Sequence, residues 1–239
     1  MAKAKGSRKS SRGAARRASK SNVARSRAAG SRYQASRRSA SGVAPSGQAR
    51  TSKSRFDRAR VEQGVRLILE GIGENRSRPG LADTPRRVRE FYEELLSGMW
   101  EDPARHLEPI KTEYDHDLVV VKSIRFTSIC EHHLLPFMGT VGVAYVPRGG
   151  RLVGISKIVR AVDAVSGRLQ IQERMTCEIA DVVARELRPA GVFVMVEAEH
   201  LCMTVRGVRK PGAMIVTTEA RGVLKEPDRQ AFVAQSMSR

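Results

Sequence analysis

Leu118-Val-Val-Val-Lys-Ser-Ile-Arg-Phe-Thr-Ser-Ile-Cys130 is where this 239-residue chain changes its hydrophobic period. Val119, Val121, Ile124, Phe126 and Ile129 sit among β-branched and polar residues, which is the pattern of an extended segment. Upstream the spacing is helical. Val61, Val65, Leu67, Ile68, Leu69 and Ile72 form a stripe that closes near Gly71 and Gly73, and Pro79-Gly80 then breaks the chain. Thr84-Pro85 predicts a second helix start, with the threonine hydroxyl as cap and the proline in the first turn; Val88, Phe91, Tyr92, Leu95, Leu96 and Met99 give it one apolar face.

Downstream, Gly139 to Val146 reads as another strand, followed by a turn at Arg148-Gly149-Gly150-Arg151. Ser156 is expected to cap a helix carrying Ile158, Val159, Val162 and Val165. A further helix runs through Met175, Ile179, Val182, Val183 and Leu187 and stops at Pro189 and Gly191. Val192, Val194 and Val196 then alternate, and Ala213 to Thr218 is a last strand. The order helices, strands, helices, strands predicts an α+β fold with an antiparallel sheet.

Charge divides the chain differently. Residues 1–55 hold 16 Lys and Arg and no Asp or Glu, which is +16 of the formal +18; the rest balances 27 basic against 25 acidic residues. Ser, Ala, Arg, Lys and Gly dominate this tail and apolar periodicity is missing, so it is expected to be disordered. Nucleic acid or another polyanion is a physically reasonable partner for it, against the plainer reading of a solvated extension; an organelle transit peptide also fits the composition. No apolar run suggests a membrane span. Three cysteines, two of them beside histidines, suit a reducing compartment, with the cytoplasm as default.

Cys130-Glu131-His132-His133 and His200-Leu201-Cys202 gather two of the three cysteines and three of the five histidines. Cys130 and His133 are three apart, so one turn can aim both at an ion, and Cys202 offers a second thiolate; that ligand set is the one zinc prefers. His132, or His200, which is expected to share a strand face with Cys202 because residues two apart point the same way, could close the tetrahedron and make the site a structural staple. If both stand off, the fourth position is open to water and the two imidazoles are free to carry protons.

Lys157 and Arg160 project from the start of the Ser156 helix, where free amides and the helix dipole favour a phosphate, and Arg206 could add a planar donor pair. Alone, such residues are usually solvated surface charges. Gln172-Glu173 is a similarly weak signal, although a carboxylate can accept two hydrogen bonds from a guanine edge.

With these residues assembled, the chain from about Val61 to about Lys225 resembles GTP cyclohydrolase I. The matching stretches are Thr84-Pro85-Arg86-Arg87-Val88, Cys130-Glu131-His132-His133, Gly154-Ile155-Ser156-Lys157-Ile158 with Arg160, Gln172-Glu173-Arg174, and His200-Leu201-Cys202-Met203 with Arg206-Gly207. The resemblance implies zinc held by Cys130, His133 and Cys202, proton transfer by His132 and His200, and a guanine edge held by Glu173 with Gln172 nearby. It further implies triphosphate and ribose contacts from Ser156, Lys157, Arg160 and Arg206, with Arg87 reaching a neighbouring subunit's site. Thr204 departs from some relatives, which carry a Lys there, so Arg209 or Lys210 could replace that contact.

The implied reaction hydrolyses the imidazole ring of GTP, releases formate and closes a pterin ring to give 7,8-dihydroneopterin triphosphate, the first step of tetrahydrofolate and pterin biosynthesis. The implied architecture is a homodecamer of the tunnelling fold, an antiparallel sheet backed by helices, with sites between subunits. The expected domains are the disordered basic tail 1–55 and a catalytic domain 56–239, itself an N-terminal helical part 56–115 and a zinc-containing tunnelling-fold part 116–225. Two other readings compete: a zinc-stapled nucleic-acid-binding protein whose tail does the work, and a related tunnelling-fold enzyme acting on another purine or pterin.

Overall fold

The computed structural model describes residues 56–114 and 116–237; the expected disordered tail, 1–55, lies outside the described residues. Two helices come first, α1 (Arg58–Gly71) and α2 (Thr84–Leu95). Asp57 caps α1 by accepting from the Arg60 N–H at 3.0 Å. Thr84 does not cap α2: the N-cap is Asp83, without a side-chain bond, because Thr84 is already helical and Pro85 lies buried in the first turn. Arg58 of α1 pairs with Glu93 of α2 and Arg89 of α2 with Glu62 of α1, tying the two helices together, while Leu67 and Ile68 of α1 and Ile72 at its end stay exposed.

The remainder is β1 (Ile110–Lys111), β2 (Val119–Cys130), β3 (Pro136–Val146), β4 (Arg151–Leu152), α3 (Ile155–Ser166), β5 (Leu169–Gln170), α4 (Gln172–Leu187), β6 (Gly191–His200), α5 (Leu201–Thr204), β7 (Met214–Gly222) and α6 (Pro227–Met237). The main sheet has the order β5-β2-β3-β6-β7, antiparallel except where β5 runs parallel to β2; β1 and β4 form a separate pair. The fold class is therefore α+β, as the period change at Leu118 predicts.

A bulge decides which way the end of β2 faces. The register shifts between Val121 and Ile124, and Ser123 takes a positive φ of 60°. One extra residue in a strand reverses the alternation beyond it. Val119 and Val121 thus pack towards the same core as Ile124, Phe126 and Cys130.

That core lies between the sheet and helices α3 and α4, where Phe137, Val143, Val194, Val162, Met175 and Ile179 are buried. Alternate residues, Ala144 and Phe193, face the other way and meet Val233 and Met237 of α6. The helix α6 has no strong apolar stripe and so carries no periodic signal in the sequence. Gly142 makes room for its end: a Cβ there would come 2.6 Å from Met237 Sδ. Among the described residues no helix is long and apolar enough to cross a membrane.

Candidate metal centre and anion site

The β2–β3 connection is a tight turn that begins at Cys130. Cys130 N–H donates to the Leu135 carbonyl at 2.9 Å and its own carbonyl accepts from Leu134 N–H at 2.9 Å, with Leu134 in the left-handed region at φ 54°. Non-glycine residues adopt that conformation at a cost, and it recurs at functional sites. Tyr92 of α2 donates its hydroxyl to the Leu134 carbonyl at 3.1 Å, fastening the N-terminal helices to the same turn.

Cys202 reaches this turn from the far end of β6. Phe137 and His200 are register partners, so the β2–β3 turn and the end of β6 share one end of the sheet. The strand stops at His200, and Leu201–Thr204 is a helical turn. The expected sharing of a strand face by His200 and Cys202 is therefore absent; the chain turns between them, and they take separate surroundings.

One candidate ligand atom from each of Cys130, His133 and Cys202 lies within 4.8 Å of the others, and Cys130 Sγ is 3.8 Å from His133 Nδ1. A tetrahedral ion with bonds of about 2.0–2.3 Å spaces its ligands about 3.3–3.8 Å apart, so the set fits zinc in chemistry and its Cys130–His133 pair already stands at that spacing. Burial pushes the Cys202 thiol above its ordinary value, and the neighbouring Cys130 sulfur pushes it further. Two thiols placed so close favour a cation between them, since a bound metal reverses that cost.

His200 is buried and separately held. Its ring stacks on Phe137 at 4.4 Å, and its Nε2 lies 2.8 Å from Gln172 Oε1. Gln172 is itself buried, and its Nε2 donates towards the Val196 and Ile215 carbonyls, at 3.1 and 2.9 Å, and Thr217 Oγ1. Those carbonyls can only accept, so Oε1 must face His200, and His200 Nε2 must carry the proton. Burial lowers the pKa of His200, while the charge of Glu173 raises it. His132 is exposed beside His133, their ring centroids 6.3 Å apart.

Arg206 Nη1 donates to His133 Nε2 at 2.9 Å, which brings one of the expected anion-binding residues to the metal cluster. Ser156, Lys157 and Arg160 lie in the first two turns of α3. Ser156 is not the cap: Gly154 holds that place in an extended conformation and accepts the Lys157 N–H at 2.8 Å, leaving the exposed Ser156 hydroxyl uncommitted. Glu173 is exposed in the first turn of α4. Among the described residues, Ser156, Lys157, Arg160 and Glu173 make no side-chain hydrogen bond or ion pair with protein. Arg87 is exposed on α2, 3.6 Å from Asp83.

Thr204 donates to Glu199 Oε1 and to the His200 carbonyl, and Glu199 also accepts the Gly212 N–H at 2.7 Å, so this loop is held by a carboxylate at its base. Cys177 stands apart, half-buried on α4 with its thiol 3.1 Å from Glu219. The bonding of Gln172 to His200 and the pairing of Arg174 with Glu131 at 2.5 Å carry no signal in the sequence, because each joins residues distant along the chain.

The family model for GTP cyclohydrolase I matches residues 61–238. A GTP cyclohydrolase 1 from Bacillus subtilis (strain 168) is 56% identical over 167 residues, covering 70% of this chain and 88% of its own. The GTP cyclohydrolase 1 of Bacillus cytotoxicus is 55% identical over 166 residues, and that of Pelotomaculum thermopropionicum 53% identical over 167; they cover 70% of this chain and 88% and 89% of their own.

Proposed function

Because the chain belongs to the GTP cyclohydrolase I family, we propose that it hydrolyses GTP to 7,8-dihydroneopterin triphosphate and formate with zinc as its metal. The observation that carries this reading is the convergence of Cys130, His133 and Cys202 from separate parts of the chain within 4.8 Å. Zinc, when bound, supplies a Lewis acid and a water whose pKa falls to roughly 7.

The chain's own residues do the rest in this proposal. Glu173, uncommitted and exposed, accepts two N–H groups of the guanine edge. Gln172 spends its side chain on His200, so its contact with the base is through its backbone N–H at the open start of α4. Ser156, Lys157 and Arg160 meet the triphosphate and ribose at the positive end of α3, joined by Arg206, with Arg87 serving a neighbouring subunit. His200, whose Nε2 proton is held by Gln172, meets the substrate through Nδ1, and exposed His132 exchanges protons from the solvent side. The expected division of the chain at 55/56, and of the catalytic part near 115, belongs to the same proposal, as does a cytoplasmic location.

The homodecamer of the tunnelling fold has two supports. Among the described residues, the outer edges of β7 and of most of β2 have no partner strand within the main sheet, and exposed apolar side chains occur on β7, at Met214 and Val216, and separately at Leu67 and Ile68 of α1 and Ile72 at its end. Sedimentation should then give a mass about ten times the 26.4 kDa chain, and a monomer would overturn the assembly.

The decisive experiment is incubation of zinc-loaded protein with GTP. Formate release and a fluorescent pterin after oxidation, both abolished by a chelator, are expected; neither product from fully loaded protein would overturn the reading. A second activity rests on the +16 charge of residues 1–55. Binding of nucleic acid that weakens steeply with salt and vanishes on deletion of that segment, with turnover intact, is its expected signature.

A further inference from the structure

The ion pair between Arg174 and Glu131 takes no part in the chemistry above, yet it joins the two halves of the site. Glu131 lies between Cys130 and the two histidines, and Arg174 directly follows Glu173. Arg174 Nη2 donates to Glu131 Oε2 at 2.5 Å and to the Leu169 carbonyl at 2.9 Å, while its Nε donates to Gln170 Oε1 at 2.9 Å. Gln170 is buried, its Nε2 donating to the Val165 carbonyl at the end of α3 and to Glu178 of α4, and its carbonyl accepts the Glu131 N–H at 3.0 Å.

Two plainer explanations fall short. A basic residue in the first turn of a helix opposes the helix dipole, and the i,i+4 pairing of Arg174 with Glu178 inside α4 is long, at 3.9 Å, so neither accounts for the reach to Glu131. An ion pair with side chains 39% and 33% exposed contributes little to stability. What the guanidinium does supply is a rigid fork that satisfies three acceptors from two segments at once.

We propose that Arg174 is a positioning residue: through Glu131 it holds the ligand-bearing turn in register with the start of α4, fixing the separation between the metal ligands and the Glu173 carboxylate. The proposal rests on the metal-centre reading above. Lysine, a point charge without the fork, cannot hold Glu131, Leu169 and Gln170 together, so Arg174→Lys is the discriminating variant.

The test uses the full chain carrying Arg174→Lys, Arg174→Met, Glu131→Gln, or Arg174→Met with Glu131→Gln. Zinc affinity is measured by competition with a chromogenic chelator in the absence of GTP, and kcat, KM and melting temperature are measured beside it. Arg174→Lys is expected to weaken zinc binding about tenfold and to lower kcat by a similar factor, the range for outer contacts of metal ligands, with the melting temperature within a few degrees of the parent. The double variant should be no worse than Arg174→Met alone, because Arg174 acts on the turn through Glu131. Should Arg174→Met fail to fold, Arg174→Lys and Glu131→Gln carry the same comparison. Parental zinc affinity and kcat in Arg174→Lys, or effects that multiply in full in the double variant, would overturn the proposal. Parent protein that binds zinc without turning over GTP would overturn the proposed function instead, and the affinity series would still decide the role of Arg174.

Discussion

Val121 and Ile124 are three residues apart in one strand, yet both side chains pack towards the same core, because Ser123 adds one residue to β2 at a φ of 60°. The consequence runs to the metal centre: Cys130 shares the core face of Val119 and Val121 only because the bulge has already reversed the alternation.

Removing Ser123 alone should abolish the bulge yet leave Val121 and Ile124 two apart on one face, whereas removing Lys122 and Ser123 together makes them adjacent and turns Cys130 towards the opposite face. Deletion of Lys122 with Ser123 is expected to abolish zinc binding, while deletion of Ser123 alone, or Ser123→Gly, which tolerates the positive φ, keeps it. Metal content per purified chain is the readout, and a variant lacking both residues with full zinc would contradict the bulge argument.

The five Cys and His residues of the two clusters should separate by what they lose. Cys130→Ser, His133→Ala and Cys202→Ser are expected to come without zinc. His132→Ala and His200→Ala should retain about one zinc per chain and lose turnover by roughly 10²–10⁴-fold, the usual share of a general acid or base. Elemental analysis alongside formate release distinguishes the groups.

Gln172→Met strips His200 Nε2 and the Val196 and Ile215 carbonyls of their buried amide partner. Leaving such groups unsatisfied costs about 1–3 kcal/mol, which urea unfolding would register as a lower midpoint. Turnover should fall while zinc content stays unchanged, since none of the proposed ligands depends on that amide. An unchanged kcat would show that His200 needs no holding.

Cys177 gives a stability change on the alkaline side. Burial first, then the Glu219 carboxylate, push its thiol from 9.0 up to about 11. Between those values the unfolded chain has lost the proton that the folded chain keeps, so stability should fall as pH rises from about 9 to about 11. Cys177→Ala should flatten that decline, as read from urea midpoints across the range; an identical slope in parent and variant would argue against it.

The sequence by itself determined the α+β class, the four long strands and the paired helices between them. It did so because hydrophobic period and Gly and Pro punctuation are local properties of the chain. It also determined which residue types could bind metal and anion, since Cys, His and the basic helix start carry their chemistry wherever they lie. Tertiary structure alone decided their arrangement. The bulge at Ser123 aims Cys130, the turn after His200 separates that ring from Cys202, Gly154 rather than Ser156 caps α3, and α6 covers the second sheet face without a strong stripe of its own. The bonds from Gln172 to His200 and from Arg174 to Glu131 join residues 28 and 43 positions apart. No local periodicity encodes such contacts; they exist only once packing of the sheet against its helices has set those backbones side by side.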